Sequence, residues 1–274
     1  MPTAAANAAQ PRALGSGTLS VCADKGGRTR LKNLRQSGST KLVFPRTPTS
    51  DIEVVMVNTA GGITGGDQFG LNVAVEPGAT LTLTTQAAER AYRAQRDEVG
   101  TLTTELDVQA GGRLNWLPQE LILFERCNLR RRLTVSLQAD AQLLLVEPIV
   151  FGRTAMGEAL HDARFQDRIS ITRAGQPLYI DGMNLGGNFA SLLQRPATAA
   201  GATAMASVVM VSPDAAAHFP AIQSALPPTA GASLLAEDLL VIRLLAADSL
   251  ELRRVLIPVL ERLNNNTLPM SWRL

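Results

Sequence analysis

The stretch Val75-Glu-Pro-Gly-Ala-Thr-Leu-Thr-Leu83 places an alternating apolar segment on each side of a Pro-Gly turn. Such alternation is typical of a strand with one buried face, and glycine marks a tight turn. The pattern returns as Val108-Gln-Ala-Gly-Gly-Arg-Leu-Asn-Trp116, Leu137-Gln-Ala-Asp-Ala-Gln-Leu-Leu-Leu145 and, one residue longer, Ile171-Thr-Arg-Ala-Gly-Gln-Pro-Leu-Tyr-Ile180. A period of about 30 residues is typical of stacked units that cannot bury their apolar faces alone. The repeat predicts a mainly β fold of stacked β-hairpins in β-helix-like layered sheets.

Two α-helices are predicted after the repeat, in the C-terminal half of the chain. Ser212 is an N-cap candidate followed by Pro213 at the first helical position, which predicts a helix to about Leu226. Asp248 and Glu251 have the spacing of a capping box and predict the start of the second helix. Strands are predicted over residues 203–211 and 234–245. Less regular connectors between the repeat units are predicted over residues 86–96, 117–128 and 147–158.

Length and composition limit the class of protein. Residues 1–14 are rich in Ala, Asn and Pro and predict a disordered leader, and residues 15–274 are predicted to form one domain. The leader lacks the apolar core of a signal peptide, and the longest apolar runs are shorter than the ~20 residues of a membrane span. Two cysteines, Cys22 and Cys127, fit a reduced cytoplasmic protein better than a disulfide framework.

The glycine loop, Asn58-Thr-Ala-Gly-Gly-Ile-Thr-Gly-Gly-Asp67, invites a nucleotide-binding interpretation that its context contradicts. A phosphate loop needs Lys followed by Ser or Thr and then a helix, whereas here Asp67 is followed by a strand-like segment from Phe69. The pattern predicts a tight strand–loop–strand connector. Its motif residues are Asn58, Gly61, Gly62, Gly65, Gly66 and Asp67.

The sequence predicts a protein that is not an enzyme and holds no cofactor permanently. It has no Gly-x-Ser-x-Gly and no Cys-x-x-Cys, and its only histidines are His161 and His218. A carboxylate-dependent hydrolase on a β-helix scaffold, using acids such as Glu120 or Asp181, is the alternative. Aromatic residues make up only 4% of the chain, which argues against a sugar-binding cleft.

Charged residues beside glycines and prolines leave two interpretations open. Acids at the edges of β segments either form structural ion pairs with nearby arginines or line a polar interior path that passes a cation along without holding it tightly. The candidates for such a path are Asp67, Glu89, Glu120, Glu147 and Glu158. Arg126 with Arg130-Arg-Arg132 forms a basic cluster, which we interpret as a solvated strand face or a protein contact rather than a nucleic-acid site.

Five segments together resemble the UreD (also called UreH) family of urease accessory proteins. They occur in order, the first four being Asn58-Thr-Ala-Gly-Gly-Ile-Thr-Gly-Gly-Asp67, Thr84-Thr-Gln-Ala-Ala-Glu-Arg-Ala-Tyr92, Trp116-Leu-Pro-Gln-Glu-Leu-Ile-Leu-Phe124 and Glu147-Pro-Ile-Val-Phe-Gly-Arg-Thr-Ala-Met-Gly-Glu158, and the last the tail at Trp272. Each segment alone is a weak signal, whereas five in register are specific.

The resemblance implies a non-catalytic maturation factor. It implies binding to the urease apoprotein, to UreF and, through UreF, to the GTPase UreG, and support of nickel insertion into the urease active site. It also implies a tunnel through the protein as the route of transient nickel. The net charge of +2 does not suggest a nucleic-acid partner, the short apolar runs predict no membrane partner, and the two cysteines fit the cytoplasm. A structural β-solenoid with no metal role is a third possibility.

Overall fold

The computed structural model describes residues 10–46, 51–153 and 156–273 and confirms a mainly β fold. These residues form seventeen strands and three helices. The strands are β1 Leu14–Ala23, β2 Thr29–Gly38, β3 Thr40–Val43, β4 Ile52–Asn58, β5 Gln68–Val75, β6 Thr80–Thr85, β7 Glu89–Ala91, β8 Gly100–Val108, β9 Arg113–Leu117, β10 Leu121–Leu123, β11 Asn128–Leu137, β12 Gln142–Phe151, β13 Ala163–Arg173, β14 Gln176–Gly187, β15 Ala204–Val211, β16 Ala230–Ala236 and β17 Leu239–Ala246. The helices are α1 Phe189–Leu193, α2 Ala215–Ala225 and α3 Ser249–Leu263, and a 3₁₀ turn covers Met270–Trp272.

The strands form two sheets that face each other. The first sheet has the order β14-β13-β11-β8-β5-β1-β2, and the second has the order β16-β17-β15-β12-β9-β6-β4-β3. The short strands β7 and β10 extend the second sheet beside β12. Strands in the middle of both sheets run parallel, whereas the strands at both ends of each sheet run antiparallel to their neighbours. The predicted β-helix-like layering is thus confirmed.

Three of the four repeat units differ from the predicted hairpins. In each, the turn carries the chain from the first sheet to the second, and the equivalent strands of these three units pair in parallel with one another. Val75 pairs with Val108, which continues to Leu137, and the second sheet aligns Leu81, Leu114 and Leu143 in the same way. The internal repeat of the sequence is therefore the pairing register of the sheets. Alternation alone does not distinguish this arrangement from a hairpin, because both bury one face of each strand.

The fourth unit is a true hairpin. Ala174 and Gly175 connect β13 to β14 with φ angles of +48° and +76°. Two consecutive positive φ angles are typical of the turns that favour antiparallel hairpins. Arg173 accordingly pairs with Gln176 across this turn.

The space between the sheets contains two apolar clusters separated by charged side chains. Leu133, Leu145 and Ile169 belong to one cluster, and Leu129, Ile149 and Phe165 belong to the other. Between them on the same strands lie three buried residues, which we call the charged layer: Arg131 on β11, Glu147 on β12 and Asp167 on β13. Glu147 was predicted to lie in a connector that begins at residue 147, but β12 continues through it to Phe151.

The longer helices α2 and α3 cover the outer face of the second sheet through a third apolar cluster. The predicted cap of α3 is confirmed, because Asp248 Oδ1 accepts a hydrogen bond of 2.9 Å from the backbone N–H of Glu251. The predicted start of α2 at Pro213 is wrong by two residues, since Asp214 occupies the cap position before Ala215. The short helix α1 was not predicted. Among the described residues, no helix has both the length and the apolar character needed to cross a membrane.

Most of the predicted leader, residues 1–9, lies outside the described residues. Of its remaining residues, Ala13 donates its backbone N–H to Asp67 Oδ1 over 2.7 Å, and Leu14 begins β1.

Candidate functional site

The glycine loop joins β4 of the second sheet to β5 of the first, as the strand–loop–strand prediction requires. Gly62 has a φ angle of +156°, and a Cβ atom there would lie 2.2 Å from Tyr92 Cε2 and 2.8 Å from the carbonyl oxygen of Arg90. A Cβ atom on Gly65 would lie 2.8 Å from the Cβ of Ala94. These glycines therefore let the loop pack directly on the following connector.

Asp67 fastens the end of the glycine loop. It is buried, and its two carboxylate oxygens accept backbone N–H groups from Ala13 at 2.7 Å and Thr64 at 2.8 Å. Its partners are backbone groups rather than the arginine that the ion-pair interpretation expects. A buried carboxylate satisfied in this way holds two segments of backbone together.

Glu89 lies beside the glycine loop, at the start of β7. Asn58 Nδ2 donates to Glu89 Oε2 over 3.1 Å and to the carbonyl of Gly62 over 3.1 Å, so one amide ties the carboxylate to the loop. Burial raises the pKa of Glu89, and hydrogen bonds from the backbone of Arg90 and from Asn58 oppose that rise. Glu89 also lines a pocket of about 180 Å³ with Asn58, Gly61 and Arg90.

Glu120 is bound by an arginine from the C-terminal part of the chain. Its Oε1 accepts a hydrogen bond of 3.1 Å from Arg253 Nε on α3. The Arg253 guanidinium also lies 5.2 Å from the centroid of the Trp272 ring, and Trp272 Nε1 donates to the carbonyl of Leu117 over 2.9 Å. Glu120 therefore anchors the C-terminal segment to the connector before β10.

Glu147 belongs to the charged layer and is fully enclosed. Its Oε1 accepts from Trp116 Nε1 over 2.7 Å, and its Oε2 accepts from Arg131. Arg131 also makes a two-pronged contact with Asp167, with distances of 2.8 Å from Nε to Oδ1 and 2.6 Å from Nη2 to Oδ2. Burial raises the pKa of Glu147, although Arg131 counteracts it. The two carboxylates in turn raise the pKa of Arg131 against the effect of burial.

The charged layer continues toward β14, the edge strand of the first sheet, and β17 of the second sheet. Asp181 on β14 forms an ion pair with Arg243 on β17. A cavity of about 10 Å³, roughly the space of one water molecule, lies between Glu147, Asp167, Asp181 and Ser207. Asp167 was not singled out from the sequence. The available signal was its inward position in the alternation of β13, between Phe165 and Ile169.

Glu158 is partly buried beside the exposed Arg153. Arg153 donates from Nε and Nη2 to the two carboxylate oxygens over 3.0 Å and 2.9 Å. These hydrogen bonds lower the pKa of Glu158. The guanidinium of Arg153 lies 4.5 Å from the centroid of the Phe124 ring, which fixes its position. Residues 154 and 155 of this connector lie outside the described residues.

The five candidate acids do not converge on one site. Only Glu89 and Glu120 are joined directly, by a hydrogen bond of 2.8 Å between backbone N–H and carbonyl. Within residues 10–46, 51–153 and 156–273, no group of three or more His, Cys, Asp or Glu side chains could hold a metal ion. The arrangement is therefore a set of separately anchored carboxylates, one of which lies in a charged layer that crosses the interior.

The groups considered for catalysis also lie apart. Burial raises the pKa of Cys127 to about 12, which disfavours the thiolate that a nucleophilic cysteine needs. Glu120 and Asp181, the acids of the hydrolase alternative, are each paired with a different arginine, Arg253 and Arg243. That pairing argues against a shared pair of catalytic carboxylates.

Comparison with known proteins gives a consistent result over nearly the whole chain. The family model described as UreD urease accessory protein matches residues 15–273. A "Urease accessory protein UreD" of Ruegeria pomeroyi is 52% identical over 242 residues, which cover 88% of this chain and 94% of the relative. Proteins of the same name are 49% identical in Roseobacter denitrificans, over 97% of this chain and 96% of the relative, and 43% identical in Brucella suis, over 95% of this chain and 94% of the relative.

Proposed function

The chain belongs to the UreD family of urease accessory proteins, and we propose that it is a non-catalytic scaffold for urease maturation. In this proposal it binds the urease apoprotein and the UreF–UreG accessory proteins, and it supports nickel insertion into the urease active site. It works in the cytoplasm, holds nickel only in transit and keeps no cofactor of its own.

The observation that carries the internal route is the charged layer with its neighbour Asp181. Glu147, Asp167 and Asp181 are among the residues that line a small cavity between the sheets, and apolar side chains fill the interior on both sides of the charged layer. Each carboxylate already has a cationic partner in Arg131 or Arg243. A cation that enters the cavity has to displace an arginine from each carboxylate that it binds. We therefore expect the cation to be held weakly and to pass through.

The proposal is tested by co-expressing the chain with the urease subunits and the other accessory proteins. Deleting the chain is expected to lower the nickel content and the activity of urease severalfold. The double variant Glu147→Gln/Asp181→Asn is expected to lower nickel content while the variant still co-purifies with urease and UreF. Glu237→Gln/Asp140→Asn, at exposed positions in turns away from the charged layer, is the matched control and should leave nickel content unchanged.

Two results would contradict the proposal at different levels. Normal nickel content after deletion would exclude a role in maturation. Normal nickel content in Glu147→Gln/Asp181→Asn, together with an effect of deletion, would reject the internal route and leave the scaffold.

A further inference from the structure

Six exposed arginines form what we call the arginine patch. Four of them point outward from neighbouring strands of the first sheet, and two lie in the loops at the edge of these strands. They are Arg130 and Arg132 on β11, Arg164 and Arg168 on β13, and Arg93 and Arg126 in the loops. The loop arginines and Arg164 line a shallow cavity of about 450 Å³ together with Asp97 and Asp162.

Among the described residues, the arginines of the patch are not paired with carboxylates of the same chain. None of its six members lies within 4.0 Å of a carboxylate in the part of the chain that the structure describes. By contrast, Arg153, Arg243 and Arg253 each have an acidic partner. Arg130 Nε donates to Gln166 Oε1 over 3.0 Å, which positions its guanidinium without reducing its charge.

The pairing register also places like charges side by side. Arg132 and Arg168 are direct partners on the parallel strands β11 and β13. Neighbouring strands are about 4.8 Å apart, and like charges in such positions destabilise a sheet. Arg164 and Arg168 lie four residues apart on β13, which spans about 13 Å along the strand. The sheet thus carries neighbouring positive charges that do not contribute to its own stability.

The surroundings of the patch favour an acidic protein over a nucleic acid. Glu105 and Asp107 lie outward on β8, the strand beside β11, so negative charge borders the patch on that side. A long polyanion would meet these carboxylates, whereas a limited acidic surface fits between them. The guanidinium fork matches carboxylates as well as phosphates in a two-pronged geometry, so acidic side chains of a partner protein can bind the patch.

We propose that the arginine patch is a docking surface for an acidic surface of a folded partner protein. This inference rests on the proposed scaffold function, and it assigns a specific face of the first sheet to a partner. Opposite charges across an interface mainly set the rate and the specificity of association. Since the patch is exposed, salt is expected to screen its contribution strongly.

The experiment measures binding of the full chain to purified urease apoprotein and, separately, to UreF. Arg132→Glu/Arg168→Glu reverses two charges at the centre of the patch. Arg28→Glu/Arg35→Glu makes the same change in charge at exposed positions outside it and is the matched control. The patch variant is expected to bind at least one of the two proteins about tenfold more weakly, and the control is expected to bind both as the wild type does. Raising salt from about 50 mM to about 500 mM should remove most of the difference.

Circular dichroism and thermal unfolding establish that both variants are folded. Unchanged affinity of the folded patch variant for both proteins would overturn the inference, and so would an equal loss in the control. Binding to RNA and to vesicles of anionic lipid is measured in parallel. If the patch variant loses affinity only for RNA or for these vesicles, the inference is overturned as well. If deletion of the chain lowers urease nickel content while Arg132→Glu/Arg168→Glu binds normally, this inference fails and the proposed function stands.

Discussion

A single guanidinium holds together the charged layer between the sheets. Arg131 contacts Glu147 and Asp167, residues 16 and 36 positions away in sequence, and all three are nearly inaccessible to solvent. The Arg153–Glu158 pair has similar hydrogen-bond geometry at the surface, where Arg153 retains 46% of its side-chain exposure. The two pairs therefore allow the effect of burial on an ion pair to be measured within one molecule.

Replacing Arg131 with Met should be far more destabilising than replacing Arg153 with Met. Arg131→Met leaves two buried carboxylates without their cation, which is expected to lower the free energy of unfolding by about 3–5 kcal/mol. Arg153→Met removes a partly exposed pair and is expected to cost less than about 1 kcal/mol. Urea unfolding monitored by circular dichroism measures both. Equal losses of unfolding free energy in the two variants would show that water reaches the charged layer.

Glu89 is expected to make stability depend on pH in the opposite direction to Glu158. Burial raises the pKa of Glu89 above its ordinary value of 4.5, so its contribution is present at acidic pH and is lost as pH rises through the raised pKa. The hydrogen bonds from Arg153 lower the pKa of Glu158, so its contribution is present at neutral pH and is lost as pH falls.

The test is the free energy of unfolding of the Gln variants relative to the wild type, from about pH 4 to about pH 7. Relative to the wild type, Glu89→Gln should gain stability as pH rises, and Glu158→Gln should lose it. A Glu89→Gln difference that is constant over this range would contradict the proposed effect of burial.

At the scale of elements, the glycine loop sets how closely its own backbone packs against β7 and the residues that follow it. Gly61 and Gly62 both have positive φ angles, of +79° and +156°. A Cβ atom on Gly61 meets nothing within 4 Å, whereas one on Gly62 meets the ring of Tyr92 and the backbone of Arg90. A substitution at Gly61 therefore tests backbone strain alone, whereas one at Gly62 tests backbone strain and steric contact together.

Gly62→Ala is expected to destabilise the protein more than Gly61→Ala. Gly61→Ala carries only the strain of a left-handed conformation, about 1–2 kcal/mol. Gly62→Ala adds the displacement of β7, for a further cost of about 1–3 kcal/mol. Chemical unfolding of the two variants measures the difference, and equal destabilisation would show that the connector moves freely.

The sequence predicted elements well where local signals decide them. The α3 cap followed from Asp248 and Glu251, and three of the four repeat units were identified with their residues in the correct alignment. The fourth unit was misaligned by two residues, because Ile171 pairs with Val135 and not with Leu137.

The hairpins were wrong in three units because a strand's own alternation does not reveal its partner. The start of α2 was misplaced because Ser212, Pro213 and Asp214 all offer helix-start signals within three residues.

At the scale of the whole molecule, two sheets enclose an interior that is apolar, then charged, then apolar again. The parallel strands of the centre are paired on both sides, whereas β2 is an edge strand whose residues are mostly exposed. Protection of backbone amides depends on this position, since edges open without disturbing the core.

Hydrogen exchange followed by mass spectrometry should therefore rank the strands of the first sheet. Peptides from β8 and β11 are expected to exchange most slowly, because each strand has a partner on both sides and contributes to the buried clusters. Peptides from β2 are expected to exchange fastest. Equal protection of β2 and β8 would require that β2 be covered by another chain.

Long-range partners explain which parts of the candidate site escaped prediction. Glu120 and Glu147 were identified as candidate site acids, but their partners Arg253 and Arg131 are 133 and 16 residues away. Asp167 has no glycine or proline beside it and lacked the local signal used for the others. The register of the sheets, which only the folded chain reveals, brings these residues together.

The antiparallel strands at both ends of each sheet have a consequence for self-association. A stack of parallel coils presents at its ends the same hydrogen-bonding edge that joins one coil to the next, and such an edge is a template for polymerisation. Here β2, β14, β3 and β16 run against their neighbours, so a further coil cannot continue the same ladder. Lys32 and Arg35 add charge along the edge at β2. The solenoid is thereby terminated within a single chain, and its length is fixed by its own end strands.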